Sequence, residues 1–235
     1  MKWRSLPESG KSSDLRPLRE IFAERKANIE KYVPADIQAV HRRTVDQLKA
    51  ENFATSALAT VTTLPPFELP DHNGKPVRSV DLLAKGQLVL FFIRGRWCPF
   101  CVGQMEAMNL IASQVAASGA SLVAISPQIE KQAYFMHDQH KLTFPLLVDA
   151  GNAFARQFGL VYGVPEEQQK LYRGTFVNLP FVNGRDAKES DAWDLPIPAT
   201  YIVERDGSII FASANEDYTE RPEPFEILSI IERGV

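Results

Sequence analysis

Apolar residues fall into two spacings along this chain of 235 residues. Short unbroken runs predict buried strands, and recurrence every three or four residues predicts amphipathic helices. The clearest run is Leu88-Val89-Leu90-Phe91-Phe92-Ile93, flanked by Gly86 and Gly95. Leu122-Val123-Ala124-Ile125, ended by Ser126-Pro127, predicts a second strand, and Phe144-Pro145-Leu146-Leu147-Val148-Asp149 starts a third. Between them Met105, Met108, Leu110, Ile111 and Val115 keep roughly helical spacing. Further helices are predicted from about Ile129 to His140 and from Asn152 to Phe158, the latter stopped by Gly159. Late in the chain, Pro198-Ala199-Thr200-Tyr201-Ile202-Val203 and Ser208-Ile209-Ile210-Phe211-Ala212 flank Arg205-Asp206-Gly207, a hairpin with a turn signal. A last helix from Pro224 to about Arg233 is expected to bury Phe225, Leu228 and Ile231. Strands alternating with helices imply an α/β sheet covered on both faces.

Two other stretches stand outside that alternation. Residues 1–13 are polar and are expected to be mobile. Asp14 then predicts a helix cap, with Leu15, Leu18, Phe22, Ile29 and Val33 on one face. Val33-Pro34 breaks this helix, because proline disfavours helix for the residue before it. A second helix follows from about Ala35 to Ala50, with Ile37, Val40, Val45 and Leu48 on its apolar side. These faces are expected to pack on the parent domain, with a homodimer interface or a cover over the active site as the sharper alternatives. Thr62-Thr63-Leu64-Pro65-Pro66 reads as a linker, dividing an N-terminal helical extension (1–63) from a domain over 64–235. Beyond it, Phe67-Glu68-Leu69 and Pro76-Val77-Arg78 flank Asp71-His72-Asn73-Gly74-Lys75, a hairpin turn. Residues 161–195 lack clean periodicity and read as an irregular insertion with one short helix near Glu166–Leu171; loops this long are often functional.

Composition narrows the function classes. Hydrophobic residues make up 45% and charged residues 23%, ordinary for a soluble globular chain. A net charge of −3, from 26 basic and 29 acidic residues, offers no electrostatic case for nucleic acid or an anionic membrane. Met1–Gly10 carries basic residues without a following apolar run, so no secretory signal is expected, and no stretch approaches a membrane span. Two cysteines in such a chain favour catalysis over stapling, and the expected compartment is the cytoplasm.

Those cysteines lie in Trp97-Cys98-Pro99-Phe100-Cys101, three positions apart, where the predicted core strand hands over to a helix. Pro99 suits a first helical position, which needs no N–H. Free N–H groups and the helix dipole there stabilise a thiolate, the nucleophilic form of cysteine. Arg94 and Arg96 add positive charge just upstream. Cys101, one turn on, is placed to close a disulfide with an oxidised Cys98. The alternatives are two buried core cysteines or half of a zinc site. Zinc needs two more ligands, and His41, His72, His137 and His140 offer no suitable spacing, His137 and His140 reading as one exposed helix face. No metal or cofactor is implied.

Strand, W-C-x-x-C, helix, strand, helix, then Ile-Pro-Ala-Thr-Tyr before a hairpin and a last helix resembles the thioredoxin fold. Within it the chain resembles the peroxiredoxin-like proteins of the alkyl hydroperoxide reductase and thiol-specific antioxidant (AhpC/TSA) superfamily. The matching stretches are Val89–Cys101, Ala124-Ile125-Ser126-Pro127, Phe144–Asp149 with Phe158-Gly159-Leu160, and Ala199–Gly207. The resemblance implies that Cys98 attacks a peroxide oxygen, forms a sulfenic acid and is resolved by Cys101. A thioredoxin- or glutaredoxin-type donor would then reduce the disulfide. Two positions depart from the family pattern. Gly95 stands where the family has Thr or Ser three residues before the attacking cysteine, and Pro198 stands where an Arg usually opens the late strand. Proline there is what thioredoxins and glutaredoxins carry beside their disulfide, commonly as a cis peptide. Arg94 or Arg96 is the expected replacement for the missing Arg, and Trp97 is expected to pack beside the pair.

The first expectation is therefore a thiol peroxidase. The second is a thiol–disulfide oxidoreductase in which Cys98 attacks a protein disulfide and Pro198 positions the polypeptide. A third class is a redox-sensing or partner-binding module whose N-terminal helices respond to the disulfide.

Overall fold

The computed structural model describes residues 16–175 and 177–233. The predicted mobile segment 1–13 and the Asp14 cap lie outside them. The chain opens with α1 (Leu18–Tyr32), α2 (Ala35–Ala50) and α3 (Phe53–Leu58), followed by the small antiparallel pair β1 (Glu68–Pro70) and β2 (Pro76–Arg78), and by α4 (Ser79–Leu83). The expected alternation then runs β3 (Leu88–Phe92), α5 (Pro99–Ala117), β4 (Ser121–Ser126), α6 (Glu130–Gln139), β5 (Leu146–Val148) and α7 (Ala153–Gln157). A ribbon of β6 (Val161–Gly163) and β7 (Asp194–Pro196) brackets α8 (Glu166–Arg173) and α9 (Leu179–Val182). The hairpin β8 (Ala199–Val203) and β9 (Ile209–Ala214) and the helix α10 (Pro224–Arg233) complete the fold.

One five-stranded mixed sheet, ordered β5-β4-β3-β8-β9, forms the centre. β3 pairs in parallel with β4 and antiparallel with β8, from Leu88↔Val203 to Phe92↔Ala199. Alternate residues of a strand face opposite sides, and both sides of β3 are covered. Val89, Phe91 and Ile93 enter one core with Phe22, Met105, Met108 and Ile227; Leu88, Leu90 and Phe92 enter another with Ala57, Leu82, Phe154 and Phe158. That double burial explains why β3 reads as an unbroken apolar run. It also fixes the C-terminal end of β3 as a rigid platform for Arg94 to Cys101.

The N-terminal helices pack on the sheet domain. The α1 ring of Phe22 meets Phe100 edge-to-face at 5.0 Å, and the Arg25 guanidinium donates to the Pro99 carbonyl. Glu223, just before α10, accepts from the Leu18 and Arg19 amides at 2.8 and 2.9 Å, so a distant carboxylate caps α1. On α2, Arg43 pairs with Glu167 of α8. The expected linker is tied down as well: Leu64 N–H donates to Gly207 and Ile209 N–H to Thr62.

Three expectations need correction. Phe225 is 75% exposed, because the buried stripe of α10 runs through Pro224, Ile227, Leu228 and Ile231 and a residue one step past Pro224 falls to its side. His140 is not on an exposed face: its imidazole lies 2.9 Å from Glu106 with only 4% of the side chain exposed. His137 stacks on His72 with ring centroids 3.5 Å apart. Residues 161–195 are not irregular throughout, since Val164, Tyr172, Leu179, Trp193 and Leu195 form a small core of their own. Among the described residues no helix is long and apolar enough to cross a membrane.

Phe22→Ala should lower stability by about 3 kcal/mol, since a buried ring is lost and only partly refilled. Urea unfolding checks this, and a loss below about 1 kcal/mol would show that α1 contributes little to the folded core.

Candidate active site

The site is built where β3 ends. The Ile93 amide still donates to Ile125 of β4, after which Gly95 and Cys98 close a turn through a 3.1 Å Cys98 N–H to Gly95 C=O bond. Gly95 sits at φ +137°, a backbone conformation that side chains rarely adopt. A Cβ there would lie 2.9 Å from Trp97 Nε1 and 3.1 Å from Gln128 Oε1. The turn that presents Cys98 therefore excludes a side-chain hydroxyl at position 95. Cys98 is the N-cap residue of α5, Pro99 opens the helix, and the Cys98 carbonyl accepts from Val102 at 3.1 Å.

Both cysteines are free thiols and both are buried, Cys98 with 1% exposure. Burial pushes the Cys98 thiol up. A hydrogen bond from Cys101 and the charges of Arg94 and Arg221 outweigh it and lower Cys98 to about 5. Cys101 moves the opposite way, raised by burial and by the adjacent Cys98 thiolate. The pair thus holds one negative charge, placed on the residue at the helix N-terminus.

Arg94 is the cation that matches it. Its side chain is fully buried, and among the described residues no carboxylate pairs with it. The guanidinium lies over Trp97 at 4.7 Å and Tyr218 at 4.3 Å, and its Nη2 donates to the Tyr172 hydroxyl at 2.6 Å. The Arg94 backbone N–H points at Cys101 Sγ, 3.4 Å away. Tyr172 is buried and accepts a second bond from Gln168 at 2.8 Å, while Gln168 lies 3.0 Å from His41 Nδ1 of α2. Burial and then the Arg94 charge lower His41 to about 4, which keeps it neutral.

Of the residues singled out from sequence, the structure gathers Arg94, Trp97, Cys98, Pro99 and Cys101. Trp97 packs edge-on to Tyr172 at 5.6 Å. Arg96 points elsewhere: it is exposed, and its Nε donates to Gln132 of α6 at 2.6 Å. Pro198 is buried one residue before β8, at the sheet end where β3 delivers Arg94, and every described peptide bond is trans. Sequence reasoning missed Arg221, whose Nη2 lies 3.8 Å from Cys101 Sγ and whose Nε donates to Gln104 at 2.8 Å. It also missed Tyr172, Gln168, His41 and Tyr218. All come from the N-terminal extension, the insertion or the segment before α10, where no local pattern marks them.

The alkyl hydroperoxide reductase and thiol-specific antioxidant (AhpC/TSA) family model matches residues 61–212. A putative peroxiredoxin of Mycobacterium tuberculosis (strain CDC 1551 / Oshkosh) is 36% identical over 121 residues, covering 51% of this chain and 78% of its own length. The thiol-disulfide oxidoreductase ResA of Geobacillus thermodenitrificans is 28% identical over 114 residues, covering 46% and 63%. In structure, the peroxidoxin BcpB of M. tuberculosis superposes with a TM-score of 0.54 over 73% of this chain and 94% of its own, at 24% identity. A central mixed sheet of thioredoxin type, a C-x-x-C pair at its strand–helix junction and a family match over more than half the length lead to one assignment: this chain belongs to the AhpC/TSA family and is a peroxiredoxin-like protein of the thioredoxin fold.

Proposed function

We propose that the chain is a thiol peroxidase in which Cys98 reduces hydrogen peroxide and organic hydroperoxides. The observation that carries this reading is the buried Arg94 guanidinium, which has the Cys98 thiolate rather than a carboxylate as its counter-charge. Such a thiolate is formed at neutral pH and is shielded from bulky reagents. It attacks the outer peroxide oxygen, the O–O bond breaks, and Cys98 becomes a sulfenic acid. That step removes the negative charge that holds the Cys101 thiol up. With Arg221 and the Arg94 amide facing its sulfur, Cys101 then loses its proton, attacks the Cys98 sulfur and expels water. A dithiol donor of thioredoxin or glutaredoxin type in the cytoplasm returns the disulfide to the reduced state by exchange.

The likeness to ResA supports a second reading, exchange with protein disulfides through the same pair, with Pro198 positioning the polypeptide. Stopped-flow oxidation followed by Trp fluorescence separates the two. The peroxidase reading expects reaction with hydrogen peroxide orders of magnitude faster than a free cysteine thiolate. Sluggish oxidation with rapid exchange against a protein disulfide would transfer the chain to the second.

Three outcomes follow from the roles of the cysteines. Cys98→Ser should abolish peroxide turnover, whereas Cys101→Ser should keep one fast oxidation and lose recycling through the disulfide; a fully active Cys98→Ser protein would sink the assignment. The oxidation rate should rise as pH is raised through about 5 and be level at neutral pH, because only the thiolate reacts. Cys98→Ser should also cost about 3 kcal/mol of stability at neutral pH, by stranding the Arg94 charge. A thiol depressed in the folded state contributes stability that is lost as pH falls through its folded value. The difference between the two proteins should therefore be largest above about pH 9, shrink progressively as pH falls, and be nearly gone by about pH 5, and chemical denaturation across that range measures it.

A further inference from the structure

The turn geometry at Gly95 leaves the site without the Thr or Ser hydroxyl that the family pattern has three residues before the attacking cysteine. A peroxide cleaved by Cys98 releases an alkoxide or hydroxide, which needs a proton from a nearby donor. Tyr172, contributed by α8 of the insertion, brings a hydroxyl to the buried Arg94 guanidinium instead. Its oxygen accepts from Arg94 Nη2 at 2.6 Å and from Gln168 Nε2 at 2.8 Å. Arg has donors only, and the amide nitrogen donates likewise, so both lone pairs of the phenol are taken and its O–H remains free to donate. The ring is 4% exposed and is fixed by Trp97, the residue before Cys98.

Resting on the peroxidase reading, we propose that Tyr172 is the proton donor to the oxygen that leaves, oriented by Arg94 and Gln168. The Cys98 sulfur gives an electron pair to the outer oxygen, the S–O bond forms and the O–O bond breaks. Cys98 is oxidised to the sulfenic acid and the peroxide is reduced to an alcohol, or to water from hydrogen peroxide. The leaving oxygen takes the Tyr172 proton, and the phenolate formed against Arg94 recovers a proton from water. Burial raises the Tyr172 phenol, with Arg94 opposing, so the donor is fully protonated at the start of each cycle. Gln168 links this hydroxyl to His41, so the insertion and α2 of the N-terminal extension both serve the reacting thiol.

The test uses Tyr172→Phe, which keeps the ring and removes the hydroxyl, in the full-length protein. Three oxidants differ in what they release: hydrogen peroxide needs a proton on the leaving oxygen, peracetic acid expels acetate, and methyl methanethiosulfonate expels a sulfinate. The expected result is a loss of at least about tenfold in rate with hydrogen peroxide, a smaller loss with peracetic acid and none with methyl methanethiosulfonate. An unchanged hydrogen peroxide rate, or equal losses with all three, would overturn the proposal. The wild-type protein gives an independent check that does not depend on the variant folding. Its oxidation by hydrogen peroxide should be slower in D2O and its reaction with the thiosulfonate should not, whereas equal ratios would also overturn the assignment. Wild-type oxidation no faster than free cysteine would overturn the peroxidase reading itself, whereas fast oxidation with an unaffected variant would overturn only the role of Tyr172.

Discussion

A buried guanidinium must be balanced or it destabilises the fold by several kcal/mol. In this protein that constraint falls on Arg94, which leaves the end of β3 pointing into the interior with no carboxylate partner among the described residues. The balance comes from aromatic faces, a tyrosine oxygen and the charge on Cys98. Each side of the pair explains the other. The arginine tolerates burial because a thiolate is near, and the thiolate persists in a dry site because the arginine is near. Cys101 shares the same environment but not the helix N-cap position, and it remains the protonated partner.

The rest of the molecule keeps that pair dry. Phe22 and Arg25 of α1 lie over the start of α5, Tyr218 and Arg221 come from the segment before α10, and Tyr172 comes from the insertion. These pieces are also tied to one another. Glu223 caps α1, Lys26 pairs with Glu220 at 2.5 Å, and Arg43 pairs with Glu167. The surface ion pairs contribute little singly; the apolar contacts behind them, Phe22 on Phe100 above all, contribute most of the docking energy. A compact cover built this way leaves both Cys98 and Cys101 buried. Reaction of this pair with any second protein would therefore require local opening, and the α1 contacts are the ones most directly over the helix that carries both cysteines.

What local sequence reports about this protein is substantial. β3, β4 and the β8–β9 hairpin were legible because their side chains alternate between two cores or are buried on both, and that burial leaves an unmistakable apolar signature. The helix α5 and the placement of Cys98 at its start were legible from Pro99 and the spacing that follows. Helix phase was less secure: α10 turned Phe225 outward, since its buried stripe runs through Pro224, Ile227, Leu228 and Ile231. The short helices α3 and α4 span six and five residues and are too brief to show a period.

The sequence by itself marked the core strands, the strand–helix junction and the C-x-x-C pair placed on it, all of which leave a signature within a few residues of chain. It also offered Arg94 and Arg96 as cationic partners, but could not choose between them, because turn residues two apart diverge in direction according to backbone angles that only the folded turn sets. Tertiary structure made that choice, sending Arg94 inward and Arg96 out to Gln132. It also brought Tyr172 to Arg94 across 78 residues, His41 to Gln168 across 127 and Arg221 to Cys101 across 120. Long-range side-chain meetings of this kind have no periodicity to announce them; they exist because separate segments were buried against the same charge.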